Sequence, residues 1–310
     1  MGIESTLTGH GKDLGGGFLV SRLLPAATRQ AVGPFVFFDH FGPIDVLPGA
    51  NHDVRPHPHI GLATVTYLFD GAIMHRDSLG SIQRIEPGAI NWMTAGRGIV
   101  HSERAPDDLR SKRYLLHGLQ LWVALPLAHE SAAPDFVHVP VGGIPVVALG
   151  RCTVRVLIGE AFGQTSPVRT FSKTVYLDIS LDAGGCFDLP PLADELALYG
   201  VEGNLEVDGK ALPARTLAVL MPGTAVRINA NAPARLMVLG GDKLDGHRFI
   251  WWNFVSSRTD RIVRAGDAWA EQIMGQVAGE TEFTPLPERS PQAAQDEPAR
   301  AAGTPETPHL

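Results

Sequence analysis

Apolar and polar residues alternate over short stretches along most of the chain, which is the pattern of half-buried β-strands. Turn residues separate the stretches, and the 310 residues include 34 glycines and 24 prolines. The stretches that predict strands are 18–24, 35–43, 64–69, 90–93, 115–123, 153–158, 174–181, 195–199, 204–209, 218–221 and 236–239. Many short strands with many turns predict an all-β protein built from barrels or jelly rolls.

Three local patterns refine this outline. Asp70-Gly71 predicts a hairpin turn, and Val207-Asp208-Gly209-Lys210 predicts another. Near the end of the chain, apolar residues recur at helical spacing and predict one amphipathic helix, with a serine of the pair Ser256-Ser257 as its cap. These apolar residues are Ile262, Ala265, Trp269 and Ile273.

The strand-rich rhythm occurs twice, before and after a proline-containing stretch at 124–145 that resembles a linker. A chain of this length accommodates two ordinary domains. We therefore predict a first domain over 1–135 and a second over 136–283. Residues 284–310 are rich in Pro, Glu, Ala, Gln and Ser, and are predicted to be a disordered tail.

Charge and cysteine content narrow the classes of function. The formal net charge of −7 gives no basic excess, so we expect neither direct binding to nucleic acid nor attachment to a membrane. The two cysteines, Cys152 and Cys186, form no disulfide framework and favour a reducing compartment. With no signal-peptide pattern and no membrane-length apolar run, the sequence predicts a cytoplasmic protein.

The candidate functional residues lie in two short sequence motifs, His57-Pro58-His59 and His101-Ser102-Glu103. Residues two apart in a strand project from the same face, so each motif presents two polar side chains on one face. If the two strands are neighbours in one barrel, three imidazoles and one carboxylate converge. Such a set suits a divalent transition metal.

Other polar residues nearby have simpler interpretations. Ser102 and His101 point to opposite faces of a strand, so they cannot form part of a catalytic triad. We expect His40, His52 and His75 to be structural or to lie behind the ligands, with His40 and His75 as candidates to line the pocket.

Several long contiguous segments of the sequence closely resemble sequences of the pirin family of the cupin superfamily. They are Asp39–Pro43, His57–Gly61, Thr64–Tyr67, Trp92–Glu103 and Gly118–Val123. The resemblance implies a bicupin, with two stacked jelly-roll β-barrels and a short C-terminal helix. It also implies one metal in the N-terminal barrel and a C-terminal barrel without metal.

The pirin resemblance implies that His57, His59, His101 and Glu103 bind the metal, most commonly iron as Fe2+, with other divalent metals as alternatives. Ala63 occupies a position where many pirins have a glutamate. We therefore expect Glu103 to supply the carboxylate, and the residue at 63 to affect the pocket.

The resemblance implies an activity, the 2,3-dioxygenation of flavonols such as quercetin, with Glu103 as catalytic proton acceptor and carbon monoxide as a product. An alternative remains open. Pirins also resemble non-enzymatic regulators whose metal or redox state controls binding to a transcription factor or a metabolic enzyme. The sequence leaves the physiological substrate and any protein partner undetermined.

Overall fold

Four large antiparallel sheets, two in each half of the molecule, make up most of the fold. The computed structural model describes residues 2–13 and 18–288. The first strands are β1 (Ile3–Thr8), β2 (His10–Asp13), β3 (Leu19–Leu24), β4 (Phe35–Val46), β5 (Val54–His59), β6 (Leu62–Asp70), β7 (Ile73–Asp77), β8 (Ile82–Ile85), β9 (Ile90–Thr94), β10 (Ile99–Arg104), β11 (Tyr114–Ala124) and β12 (Asp135–Val139).

The second half of the chain continues the same architecture and adds a helix. Its elements are β13 (Val146–Leu149), β14 (Cys152–Ile158), β15 (Glu160–Ala161), β16 (Gln164–Thr165), β17 (Thr174–Leu181), β18 (Gly185–Leu189), β19 (Glu195–Glu202), β20 (Leu205–Val207), β21 (Lys210–Leu212), β22 (Thr216–Leu220), β23 (Val226–Ala230), β24 (Ala234–Gly241), β25 (Phe249–Trp251), β26 (Phe254–Ser256) and α1 (Thr259–Ala270).

Each barrel pairs a seven-stranded sheet with a four-stranded sheet. In the first barrel the orders are β12-β9-β6-β11-β4-β3-β2 and β5-β10-β7-β8. In the second they are β1-β22-β19-β24-β17-β14-β13 and β18-β23-β20-β21. This mostly β architecture with one short C-terminal helix confirms the predicted bicupin fold.

The two seven-stranded sheets stack on each other through a shared apolar core, to which Trp92 of the first barrel and Tyr176 of the second contribute. Strand β11 shows how the alternating sequence builds this layer. Its leucines Leu119 and Leu121 are fully buried in the shared core, whereas Trp122 projects to the other face and lines a cavity inside the first barrel.

Strand pairing crosses the predicted domain limits, which stay a prediction. β1 pairs with β22 of the second barrel, and β12 pairs with β9 of the first. Of the predicted tail, residues 284–288 are described, and Thr284 donates its backbone N–H to Pro56 O at 2.8 Å. Residues 289–310 lie outside the described residues.

The two predicted hairpins have different outcomes. Asp208 and Gly209 both have positive φ, 48° and 77°, and join β20 to β21, as predicted. The prediction of a hairpin at Asp70-Gly71 is wrong, because β6 and β7 belong to different sheets. Gly71, with φ of 83°, allows the sharp reversal that carries the chain between those sheets.

The predicted helix is present, but its ends differ from expectation. Ile262, Ala265 and Trp269 are buried, whereas Ile273 lies beyond the helix and is 69% exposed. The serine cap is wrong. Arg258 occupies the cap position without a side-chain hydrogen bond. In the described part of the chain, no helix combines the length and apolar character needed to cross a membrane.

Candidate metal centre

The small sheet of the first barrel brings three imidazoles together. β5 and β10 are antiparallel neighbours, with His101 opposite His57 and Ile99 opposite His59. Because side chains alternate along each strand, all three rings share the inner face. One ring nitrogen from each of His57, His59 and His101 lies within 4.8 Å of the others.

Glu103 lies beside this cluster. A register shift after His101 places Glu103 opposite Val54, and Glu103 lines the same cavity as the imidazoles. The group of donor atoms within 4.8 Å holds the three histidines and not this carboxylate. Burial raises the pKa of Glu103, against the opposing effects of His75 and a hydrogen bond from Thr66. Its role as ligand and base stays a prediction.

Backbone carbonyls orient two of the rings. His57 Nδ1 lies 2.9 Å from Arg55 O, and His59 Nδ1 lies 3.0 Å from Asn253 O. A carbonyl oxygen only accepts, so each Nδ1 carries the proton. In the neutral ring, Nε2 then has a free lone pair, which is the form that binds a metal.

Burial keeps the three imidazoles neutral. It lowers the pKa of His57 to about 4, and it lowers the pKa values of His59 and His101 well below the usual value of 6.5. The proximity of the other rings lowers the pKa of His101 further. At neutral pH no proton therefore competes with a metal for these nitrogens.

These donors fit a divalent transition ion. Imidazole nitrogens bind such ions at about 2.0–2.1 Å, as known for zinc. His59 Nε2 and His101 Nε2 are 3.1 Å apart, so one ion can contact both. Neutral imidazole nitrogens that converge in this buried cluster could hold a metal ion.

The imidazole cluster opens into a cavity of about 560 Å³, a size that suits a small molecule. One wall is a layered stack. Phe37 and Trp122 are stacked with ring centroids 4.0 Å apart, and the guanidinium of Arg22 lies 4.3 Å above Phe37. Asp39 holds Arg22 in place through a paired hydrogen bond. A flat aromatic ligand matches this wall.

The other histidines are distributed differently from expectation. His52, and not His40 or His75, lines the cavity among the residues described. His40 is buried between the barrels, with Nδ1 2.5 Å from Tyr199 OH and Nε2 2.7 Å from His117 Nε2. Neighbouring side chains enclose His40 and His75, so neither ring lines the pocket, and both fit the expectation that they are structural or lie behind the ligands.

Ala63 does not face the metal cluster. It is fully buried in the core between the barrels, on the face of β6 opposite to Thr66. Thr66 points into the first barrel, where its hydroxyl lies 3.4 Å from Glu103 Oε1. The expectation that residue 63 affects the pocket is therefore wrong for a parity reason, since odd positions of β6 face away from the cavity.

Sequence reasoning missed several residues of the site. Asn253, whose carbonyl orients His59, is 194 positions away in the chain, and no spacing pattern links the two. Trp122 had a usable signal, because it alternates with the apolar residues Leu121 and Val123 and therefore faces the barrel interior.

Comparisons with known proteins agree with this architecture. A model of the pirin family matches residues 17–123, and a model of the pirin C-terminal cupin domain matches residues 176–275. A pirin-like protein of Caulobacter vibrioides is 44% identical over 290 residues, covering 92% of this chain and 100% of the relative.

Solved structures are similar over most of their length. A crystal structure described as quercetin 2,3-dioxygenase from Acinetobacter baumannii has a TM-score of 0.83 and 33% identity, covering 92% of this chain and 96% of that one. A bacterial pirin of Escherichia coli in complex with nickel(II) has a TM-score of 0.61 and 17% identity, covering 77% and 99% respectively. The second likeness shows the fold alone.

Proposed function

Since this chain belongs to the pirin family, we propose that it is a metal-dependent dioxygenase that acts on flavonols of the quercetin type. We propose His57, His59, His101 and Glu103 as ligands of one divalent transition metal, iron in the cell. The relative from Acinetobacter baumannii that is described as quercetin 2,3-dioxygenase supports the reaction class.

One observation carries the proposal. Three neutral imidazoles with converging nitrogens lie at a cavity whose wall is the stack of Phe37 on Trp122. A flavonol is flat, aromatic and bears a hydroxyl next to a carbonyl. Its rings match the aromatic wall and its oxygen atoms match the polar cluster.

The residues of the wall position the substrate. Trp122 contacts His59 edge to face, with centroids 5.3 Å apart, so this wall lies beside the imidazole cluster. The apolar surface also excludes water from the ring that reacts. Arg22, neutralised by Asp39, adds a cationic face without leaving an unpaired charge.

Glu103 is the proposed proton acceptor. Because burial raises its pKa, its carboxylate is a stronger base than an exposed glutamate and can take the proton of the substrate hydroxyl on a carboxylate oxygen. When bound, the metal supplies Lewis acidity and one-electron chemistry with dioxygen. The Thr66 hydroxyl lies 2.9 Å from Gln120 Oε1 and 3.4 Å from Glu103 Oε1, so its hydrogen bond to the carboxylate is weak and competes little with the substrate proton.

Metal analysis followed by oxygen-uptake and carbon monoxide assays over a flavonol panel tests the proposal. The iron-loaded full chain should consume dioxygen and release carbon monoxide with at least one flavonol. His101→Ala should lose both the metal and the activity, because it removes a ligand nitrogen. His129→Ala, which changes an exposed histidine outside the cavity, is the matched control and should keep both.

An iron-loaded protein that consumes no dioxygen with any flavonol would contradict the dioxygenase proposal. That result would favour the alternative in which the metal state regulates binding to another protein.

A further inference from the structure

His101 differs from the other two imidazoles in what lies behind it. His101 Nδ1 is 3.4 Å from His75 Nδ1, and His75 Nε2 is 3.0 Å from Asp77 Oδ2. All three side chains are buried. His101, His75 and Asp77 thus form a hydrogen-bonded row. The pairing of β7 with β10 places its members together, since Asp77 lies opposite His101 and His75 lies opposite Glu103.

The Asp77 carboxylate determines which ring nitrogens of His75 and His101 carry a proton. The carboxylate of Asp77 accepts, so His75 Nε2 carries a proton. In neutral His75, Nδ1 is then bare and can only accept, so the proton between the two histidines belongs to His101 Nδ1. His101 Nε2 is left bare and faces His59 Nε2 as a second lone pair, as a ligand atom must.

Surrounding contacts fix the row in place. Asp77 Oδ1 accepts hydrogen bonds from the backbone N–H groups of Leu79 and Ser81, at 2.9 and 3.0 Å. The ring of His75 stacks on Phe136, with centroids 4.3 Å apart and planes 10° from parallel. Burial opposes ionisation of Asp77, but the hydrogen bonds from His75 and Ser81 outweigh it and lower its pKa.

We propose that Asp77 and His75 are positioning residues that fix the tautomer and orientation of His101, and thereby set the metal affinity and reduction potential of the centre. The inference deepens the proposed function and rests on the proposed metal site. Partners behind a ligand imidazole commonly fix its tautomer and raise its basicity.

The contrast within the cluster strengthens the argument. His57 and His59 donate to neutral backbone carbonyls, of Arg55 and Asn253. His101 is connected through His75 to a carboxylate. The negative charge of Asp77 therefore makes His101 a stronger electron donor to the metal than His57 or His59. Stronger donation favours the more oxidised state of a redox-active metal.

Asp77→Asn is the direct test, because it removes the charge and keeps the shape. The asparagine carbonyl can still accept from Leu79 and Ser81, but its amide group would face His75 Nε2 as a donor. His75 would then carry its proton on Nδ1, and His101 would be driven to place its own proton on the ligand nitrogen.

We expect Asp77→Asn to weaken binding of Zn2+ or Co2+ by about 10- to 100-fold, measured by chelator competition on the full chain. The reduction potential of the iron-loaded variant should rise. His75→Phe, which can keep the stacking on Phe136, should give the same direction of change in both measurements.

Asp178→Asn is the matched control, since Asp178 is a buried carboxylate that pairs with Arg235 in the second barrel. It should leave metal affinity and potential unchanged even if it lowers stability. Wild-type affinity and potential in both Asp77→Asn and His75→Phe would overturn the inference, as would equal losses in Asp178→Asn.

These measurements separate the inference from the proposed function. Neither metal affinity nor potential requires a flavonol, so a protein that binds metal through this row but oxidises no flavonol refutes the dioxygenase proposal alone. A flavonol-active protein whose variants keep normal affinity and potential refutes the inference alone.

Discussion

The two barrels share one architecture and use its interior in opposite ways. In the second barrel, β18 and β23 present Phe187, Leu189 and Ile228, which pack into an apolar core. In the first, β5 and β10 present imidazoles at a cavity of about 560 Å³. All the buried histidines of the described chain belong to the first barrel, namely His40, His57, His59, His75, His101 and His117.

This difference teaches how a duplicated architecture divides its tasks. A filled core contributes stability through buried apolar area, whereas buried polar groups cost free energy unless they are paired. The second barrel and the shared core therefore support a first barrel whose interior holds a buried histidine cluster that could bind a metal. Three predictions test this division.

Acid should have the largest effect, and it should act through the first barrel. In the metal-free protein, burial lowers the pKa values of His40, His57, His59 and His101 below 6.5. The unfolded chain then binds more protons than the folded chain, so stability is lost as the pH falls below 6.5, down to about 4 for His57.

Each of these imidazoles should contribute on the order of 1 kcal/mol to this loss by pH 5.5, and the four together a few kcal/mol. Urea unfolding at pH 7.5 and 5.5 measures the change, in a range above the titration of ordinary carboxylates. An unchanged free energy of unfolding would show that the folded protein accepts these protons without cost. The metal-loaded protein provides the comparison, since bound nitrogens resist protonation.

Leu198→Ala should have the next largest effect, because Leu198 is fully buried in the core of the second barrel. We expect a loss of about 2–5 kcal/mol in the free energy of unfolding. Metal affinity should stay at the wild-type value, since the change lies outside the first barrel. Leu127→Ala, at a position 46% exposed, should change stability little. A parallel loss of metal affinity in Leu198→Ala would contradict the proposed division.

Tyr199→Phe should have the smallest effect, at the contact between the barrels. It removes the hydroxyl that lies 2.5 Å from His40 Nδ1 and should cost about 1 kcal/mol in the free energy of unfolding. Tyr176→Phe is the matched control, because the buried Tyr176 hydroxyl has no partner within the described residues. Equal effects of the two changes would show that the contact between Tyr199 and His40 contributes nothing.

The sequence predicts the fold class and the meeting of the three imidazoles because both follow from alternation along strands. His57 and His59 share a face by spacing alone, and β10 needs only to be the neighbour of β5 for His101 to join them. The prediction of a bicupin architecture comes from the sequence segments that resemble the pirin family.

The parts that escape prediction depend on contacts between distant segments. Nothing near Asp70 reveals that β7 leaves the sheet of β6, because an Asp-Gly turn serves a hairpin or a change of sheet equally well. The row from His101 to Asp77 requires the pairing of β7 with β10, which no local pattern specifies. Position 63 differs from expectation because odd positions of β6 face the core between the barrels, and the sequence alone does not show which face of β6 points into the cavity.

The pairing of β1 with β22 affects how the chain is assembled during synthesis. Residues 3–8 leave the ribosome more than 200 residues before their partners at 216–220. At about 5–20 residues per second, the first strand waits roughly 10–40 s for the neighbour that completes its hydrogen bonds. The second barrel therefore closes around a strand synthesised more than 200 residues earlier, and a ribosome that stalls before residue 220 leaves an unpaired β-edge available for aggregation.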